Sequence, residues 1–61
     1  MITKFFVFRE KENEWECVRV LEDNLNLTKT DTIEFEGKDY RMDCRAYNIE
    51  TNVLQIHLVV K

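Results

Sequence analysis

The chain has 61 residues, enough for one small domain, which we assign to residues 1–61. Its composition is 44% hydrophobic with one Gly and no Pro, which is typical of a folded domain and excludes a disordered tail. Twelve acidic residues against nine basic ones give a net charge of -3. Direct nucleic-acid binding is therefore not expected as the main function, because binding to phosphates normally requires a basic surplus.

The sequence shows no targeting segment. No charged N-terminal region precedes an apolar stretch, and no apolar run approaches the roughly 18 residues that a membrane span needs. We therefore expect a cytoplasmic protein. Cys17 and Cys44 could in principle form a disulfide, but a secreted domain that depends on disulfides usually carries more cysteines. We expect both to be buried thiols of the core.

The first predicted strand, Lys4 to Arg9, is apolar on both faces because Phe5, Phe6, Val7 and Phe8 follow one another. This pattern is typical of an interior strand. The polar segment Arg9 to Glu16 is expected to be an exposed hairpin tip. In an extended segment its alternating glutamates would form a negative ridge, which is either ordinary solvated surface or a site for a basic partner. These residues are Glu10, Glu12, Glu14 and Glu16.

The segment from Trp15 to Leu21 fits two periodicities. As a strand it places Trp15 and Cys17 on one face and Val18 on the other, and its short link to the preceding strand favours a β-hairpin. As a helix it would align Trp15, Val18 and Leu21, so an α+β fold with residues 14–25 helical stays open. The polar residues 22–31 predict a loop, held against the core by Leu25 and Leu27.

Two hairpins are predicted in the C-terminal half. A Gly37-Lys38 turn of type II′ would place Phe35 opposite Tyr40. The second hairpin is expected to turn near residues 49–51. Its expected pairs include Met42 with Leu58, Cys44 with Ile56, and Asp43 with His57 on the outer face.

Five short strands with tight turns resemble a small SH3-like barrel. The resemblance is carried by the strand at residues 31–35, the Gly37 turn, residues 40–47 and the closing strand 54–60. It implies a binding surface without selecting a ligand, because such barrels serve as peptide-binding, RNA-binding and phage structural modules. The residues that would recognise a proline-rich peptide are not matched. We predict an all-β fold with about five short antiparallel strands, in a meander or a small SH3-like barrel.

Catalytic chemistry is not expected. The Asp43 and His57 pair could form a general base, but the chain has no serine and its cysteines are predicted on the opposite, buried face. A surface ion pair is the favoured interpretation. A chain this short also leaves little room for a wide cavity. No metal site or cofactor is predicted, since Cys17, Cys44 and His57 lack the spacing of a zinc site.

The predicted function is that of a non-enzymatic protein-binding module. Its expected contact surface combines Tyr47, Val53 and Val59 with the negative ridge, and its partner would have a basic surface. The most concrete form is a small phage or mobile-element inhibitor that blocks a host nucleic-acid enzyme or defence complex. In size and charge the chain is similar to anti-CRISPR proteins. The alternatives are a structural component that self-associates and a weak RNA- or DNA-binding barrel that uses Lys38, Arg41 and Arg45.

Overall fold

The computed structural model describes residues 1–23 and 25–61, and within these residues it contains five strands and no helix. The strands are β1 (Ile2–Arg9), β2 (Glu14–Leu21), β3 (Ile33–Phe35), β4 (Lys38–Asn48) and β5 (Val53–Val60). They form a single sheet in the order β2-β1-β5-β4-β3, and the sheet curls into a half-barrel. The all-β prediction is therefore confirmed. Of the range 14–25 considered as a helix, residues 14–21 form β2, and Asn24 lies outside the described residues.

The sheet is mixed, because the neighbouring strands β1 and β5 pair parallel while the other pairs are antiparallel. Strands β1 and β2, β3 and β4, and β4 and β5 pair antiparallel, as expected for hairpins. Strands β1 and β5 pair parallel, which the predicted meander did not include. The connection from β2 to β3 joins strands at opposite edges of the sheet. The two later hairpins then bring β5 back alongside β1, and the two strands run in the same direction.

The core lies on one face of the sheet, which we call the inner face. Its buried apolar side chains come from the three central strands β1, β5 and β4, at alternating positions: Phe5, Val7, Leu54, Ile56, Leu58, Tyr40 and Met42. Partly buried side chains pack around them: Val18, Leu21, Leu27, Ile33 and Phe35. Strand β1 is apolar on both faces, as predicted, but the two faces differ in burial. Its inner residues are buried, whereas Phe8 on the outer face is exposed.

The segment between β2 and β3 is attached to the core by one buried polar group and one leucine. Thr3 is fully buried, and its Oγ1 donates a hydrogen bond to the backbone carbonyl of Asp23 at 2.7 Å. Leu27 packs against the core as predicted, whereas Leu25 is exposed. The attachment at Thr3 satisfies a hydroxyl that would otherwise be buried without a partner.

The β3–β4 hairpin differs from the predicted register by two residues. Its turn is Glu36-Gly37, and both residues have positive φ, at 51° and 75°, as a type I′ turn requires. Phe35 therefore lies opposite Lys38, and Ile33 opposite Tyr40. The prediction placed glycine first in the turn. A shift of two residues leaves every side chain on its predicted face, because strand side chains alternate with a period of two.

A β-bulge changes the β4–β5 hairpin more deeply. The turn lies at residues 49–52, and Met42 pairs with Leu58, both as predicted. The register then shifts between Met42 and Cys44, so that Cys44 lies opposite His57. The predicted pairs Cys44–Ile56 and Asp43–His57 are wrong. An extra residue in one strand reverses the faces of all residues beyond it, and this moves Cys44 from the inner face to the outer one.

Both cysteines are exposed, which contradicts the prediction that they are core thiols. Cys17 lies opposite Phe6, on the outer face of β2 beside a second bulge at the Phe5/Phe6 position. Cys17 and Cys44 sit on strands separated by β1 and β5. Three strand spacings amount to about 14 Å, too far for a disulfide.

Candidate functional site

A cluster of rings occupies the outer face of β2, β1 and β5. The Phe8 and Trp15 rings meet edge to face, with centroids 5.4 Å apart. The Trp15 and His57 rings are stacked, with centroids 4.6 Å apart and an interplanar angle of 20°. The Phe6 ring meets the His57 ring edge to face, with centroids 5.2 Å apart. We call Phe6, Phe8, Trp15 and His57 the outer aromatic cluster.

Strand alternation explains why these rings meet. In β1 the inner positions hold Phe5 and Val7, so Phe6 and Phe8 project from the outer face. Pairing of β1 with β2 sets Phe8 opposite Trp15, and the parallel pairing with β5 sets Phe6 opposite His57. The Trp15 indole extends across β1 to reach the imidazole. The sequence alone does not predict this cluster, because nothing in the local pattern indicates that β1 and β5 are neighbours.

The outer aromatic cluster remains accessible to solvent. Trp15 is 40% exposed and Phe8 is 39% exposed, whereas Phe6 and His57 are half-buried. Trp15 is the only tryptophan of the chain, and its exposed ring area does not contribute to the core, which is small in a domain of this size. Large exposed rings on an ordered sheet face are the usual anchors of protein interfaces.

Cys44 lies at the edge of this cluster. Its Sγ is 3.7 Å from Nδ1 of His57, within hydrogen-bond distance for sulfur. Asp43, the partner predicted for His57, instead has a carboxylate oxygen 4.0 Å from Nη1 of Arg41. The bulge therefore exchanges a predicted carboxylate–imidazole pair for a thiol–imidazole pair.

The predicted negative ridge does not form one straight row. Glu10 and Glu12 lie in the turn at residues 10–13, while Glu14 and Glu16 lie in β2. Nε of Arg9 donates to the Glu16 carboxylate at 2.5 Å, and this hydrogen bond, with the nearby Glu16 charge, raises the pKa of Arg9.

Three of the glutamates still gather around one cation. Glu12, Glu14 and Glu16 line a small cleft of about 260 Å³ together with Arg9. Glu36 from the β3–β4 turn also approaches Arg9, with its Oε1 4.0 Å from Nη2 of the arginine. All of these side chains are in contact with solvent, so each ion pair contributes little to stability. The hairpin end is thus acidic, and its single arginine is already engaged.

The structure does not bring the predicted patch of Tyr47, Val53 and Val59 together. Tyr47 lies opposite Leu54, which places it on the inner-face side of β4, and its hydroxyl donates to Oδ1 of Asn52 at 2.5 Å. Val53 and Val59 alternate with the buried residues of β5 and so lie on the outer face. The bulge is again the cause, because it reverses the faces of residues 44–48.

The three basic residues considered for nucleic-acid binding are also divided by the bulge. Arg41 lies opposite Val59 on the outer face, whereas Arg45 lies opposite the buried Ile56. Lys38 pairs with Phe35 at the far end of β4. They do not form a continuous basic strip of the kind that follows a phosphate backbone.

A groove of about 730 Å³ opens at the end of the sheet where β1 and β5 both finish, which is larger than the chain length led us to expect. Apolar side chains from these strands form one wall, including Val7, Leu58 and Val60, and Tyr40 of β4 lies beside them. The polar wall consists of Arg9, Glu10, Lys11, Glu12 and Lys38. It is therefore an open groove with charges of both signs.

Among residues 1–23 and 25–61, no three His, Cys, Asp or Glu side chains lie close enough together to hold a metal ion. The part of the chain that the structure describes also has no helix of the length and apolarity needed to cross a membrane. Comparison of the chain with protein families, with curated proteins and with solved structures finds no match.

Proposed function

We propose that this chain is a non-enzymatic protein-binding module that contacts its partner through the outer aromatic cluster and the adjoining acidic turn. The observation that carries the proposal is the Phe8–Trp15 pair. Both rings are ordered by edge-to-face contact, both are about two-fifths exposed, and both lie next to the turn at residues 10–13.

Preorganised rings are efficient anchors. Trp15 is held between Phe8 and His57, so its side chain loses little conformational freedom when a partner covers it. Tryptophan is among the residues whose truncation costs most at interfaces, commonly about 2 kcal/mol or more. We therefore expect Trp15 to insert into an apolar pocket of the partner, with Phe8 beside it.

The acidic residues beside the rings indicate the charge of the partner's surface. The turn and the start of β2 carry Glu10, Glu12 and Glu14, while the Arg9 charge next to them is paired with Glu16. The partner is accordingly a protein with a basic patch beside an apolar pocket. Complementary charge of this kind accelerates association, and its effect weakens as salt rises.

The narrower proposal is that the module inhibits a host nucleic-acid enzyme or defence complex, as small phage and mobile-element proteins do. An enzyme with a basic nucleic-acid channel offers the required charge. The narrower proposal is supported by the size of this chain and by its net charge of -3. We place the protein in the cytoplasm as part of this proposal, because two exposed thiols too far apart to pair suit a reducing compartment.

Self-association is the second candidate, and the edge strand β2 favours it. β2 is eight residues long and has a neighbour on one side only. A free strand edge presents unpaired backbone groups to which a second copy could add a strand. Sedimentation or gel filtration separates the two candidates, because the edge-pairing model predicts a stable dimer in the absence of any partner.

The binding proposal is tested by affinity capture from bacterial lysate, with the wild-type chain compared with Trp15→Ala and Tyr47→Ala. The two rings are similarly exposed but lie on opposite faces of the sheet, so Tyr47→Ala is a matched control. A captured protein that is retained by Tyr47→Ala but lost by Trp15→Ala supports the proposed face.

The captured protein is then purified and titrated directly. We expect at least a 30-fold weaker Kd for Trp15→Ala, equivalent to about 2 kcal/mol, and a severalfold loss for Glu10→Gln combined with Glu12→Gln at low salt. Loss of binding with Tyr47→Ala alone would move the interface to the other face and contradict the proposal. Circular dichroism confirms that each variant is folded.

A further inference from the structure

We propose that Cys44 is a reactive thiol, activated by His57, that accepts a covalent adduct from small disulfides. This inference does not depend on the proposed binding function. It concerns the pair of Cys44 and His57, of which His57 also belongs to the outer aromatic cluster, and it assigns a modification site on the exposed side of β4.

The geometry supports proton transfer between the two groups. Cys44 is exposed, and its Sγ lies 3.7 Å from Nδ1 of His57. When the neutral imidazole carries its proton on Nε2, Nδ1 is free to accept the thiol proton. The thiolate that results is the nucleophilic form of cysteine.

The base is held in position by its neighbours. The imidazole is stacked on Trp15 and bounded by the Phe6 edge, so its ring plane is fixed on two sides. A fixed imidazole keeps its nitrogen directed at the sulfur without a loss of rotamer freedom in each encounter.

The same chain provides a natural comparison in Cys17. Cys17 is also exposed and also lies on the outer face, but the polar partner of its Sγ is the backbone carbonyl of Arg19, at 3.8 Å. A carbonyl can accept a hydrogen bond but cannot take the proton away. The two thiols therefore differ in having or lacking a base, while sharing exposure and strand environment.

The proposed step is a thiol–disulfide exchange. The Cys44 proton passes to Nδ1 of His57, and the thiolate attacks one sulfur of the small disulfide. That sulfur–sulfur bond breaks as the new one to Cys44 forms, and the leaving thiolate takes up a proton from the imidazolium or from water. Cys44 is oxidised, and one half of the small disulfide is reduced, so no further oxidant is required.

The test uses hydroxyethyl disulfide, an uncharged probe, with the intact protein at neutral pH. Trypsin separates the two thiols, because it cleaves after Arg19, which lies between the two cysteines. It also cleaves after Arg41 and Arg45, on either side of Cys44. Mass spectrometry then gives the rate of adduct formation on each cysteine. We expect Cys44 to react at least about threefold faster than Cys17, because His57 can accept the thiol proton as the sulfur attacks the disulfide.

Two controls attribute the difference to His57. In urea that unfolds the chain, the ratio of the two rates should fall to about one, and this measurement needs no variant. In folded His57→Gln, Cys44 should react at about the rate of Cys17. Equal rates in the native protein, a ratio that persists in urea, or a folded His57→Gln that still reacts fast would each overturn the proposal.

Discussion

The indole of Trp15 lies flat against the imidazole of His57, with ring centroids 4.6 Å apart, although the two residues belong to strands that are not neighbours. β1 lies between them, and the Trp15 side chain crosses its outer face. The contact therefore exists only because β1 and β5 pair in parallel and β2 pairs with β1. It joins the N-terminal hairpin to the last strand of the chain.

Replacing Trp15 with Leu should remove this stacking and release the imidazole. We expect a loss of about 0.5–1.5 kcal/mol beyond the change in buried area, as measured for aromatic pairs. The His57 ring protons should move downfield in the NMR spectrum, because the indole ring current no longer shields them. Phe8→Leu is the control, since it leaves the stacked pair in place and should shift these protons much less.

Glu36 occupies a backbone conformation that favours another residue. Its φ of 51° lies in the left-handed region, as the first position of a type I′ turn requires. Asn tolerates this region better than Glu, and Asn-Gly is a preferred sequence for the turn. Glu36→Asn should therefore raise the free energy of unfolding by about 0.5 kcal/mol in urea titration. Glu34→Asn, at the middle of β3, should give no gain.

Gly37 should not tolerate a side chain, for a backbone reason alone. A Cβ at this position would meet no atom within 4 Å, yet φ is 75°. Gly37→Ala should thus cost about 1–2 kcal/mol, which is the penalty of the left-handed region for an L-residue. Chemical denaturation measures it. A neutral effect would show that the turn changes its type at low cost.

The Thr3 hydroxyl should stabilise the connection between β2 and β3. Thr3 is fully buried and donates to the Asp23 carbonyl at 2.7 Å. Thr3→Val keeps the shape but removes the donor, and we expect a loss of about 1 kcal/mol in urea denaturation. Thr3→Ser keeps the donor and loses one methyl group. Faster amide hydrogen exchange near residue 23 in Thr3→Val, and not in Thr3→Ser, would locate the effect.

Ile56 tests the centre of the core. It is 1% exposed in β5, whereas Val60 on the same strand is 65% exposed. Ile56→Val should cost about 0.5–1.5 kcal/mol because it leaves a methyl-sized gap. A chain of this length has only roughly 3–9 kcal/mol of stability in total, so Ile56→Ala should unfold much of the population. Val60→Ala should change the free energy of unfolding by less than about 0.5 kcal/mol.

Local patterns were sufficient for much of the fold and for little of the site. Alternation indicated most of the strands, and the hairpin tip predicted from Arg9 to Glu16 is a turn at residues 10–13, with Glu14 and Glu16 already in β2. The residues Tyr47, Val53 and Val59 do not share a face as predicted, because the bulge between Met42 and Cys44 reverses the faces of one strand end. The residues from Met42 to Cys44 include neither Gly nor Pro, so their types do not indicate a bulge.

The sequence by itself favoured an all-β chain, left residues 14–25 open between strand and helix, and located the other strands and turns approximately, with the side of most strands that faces the core. These properties follow from short-range periodicity and turn chemistry, which act between residues a few positions apart. Only the tertiary structure decided that β5 lies beside β1, that Cys44 meets His57, and that Trp15 reaches across to the same imidazole. Pairing between distant strands depends on how the whole inner face is buried at once, and no local segment carries that information.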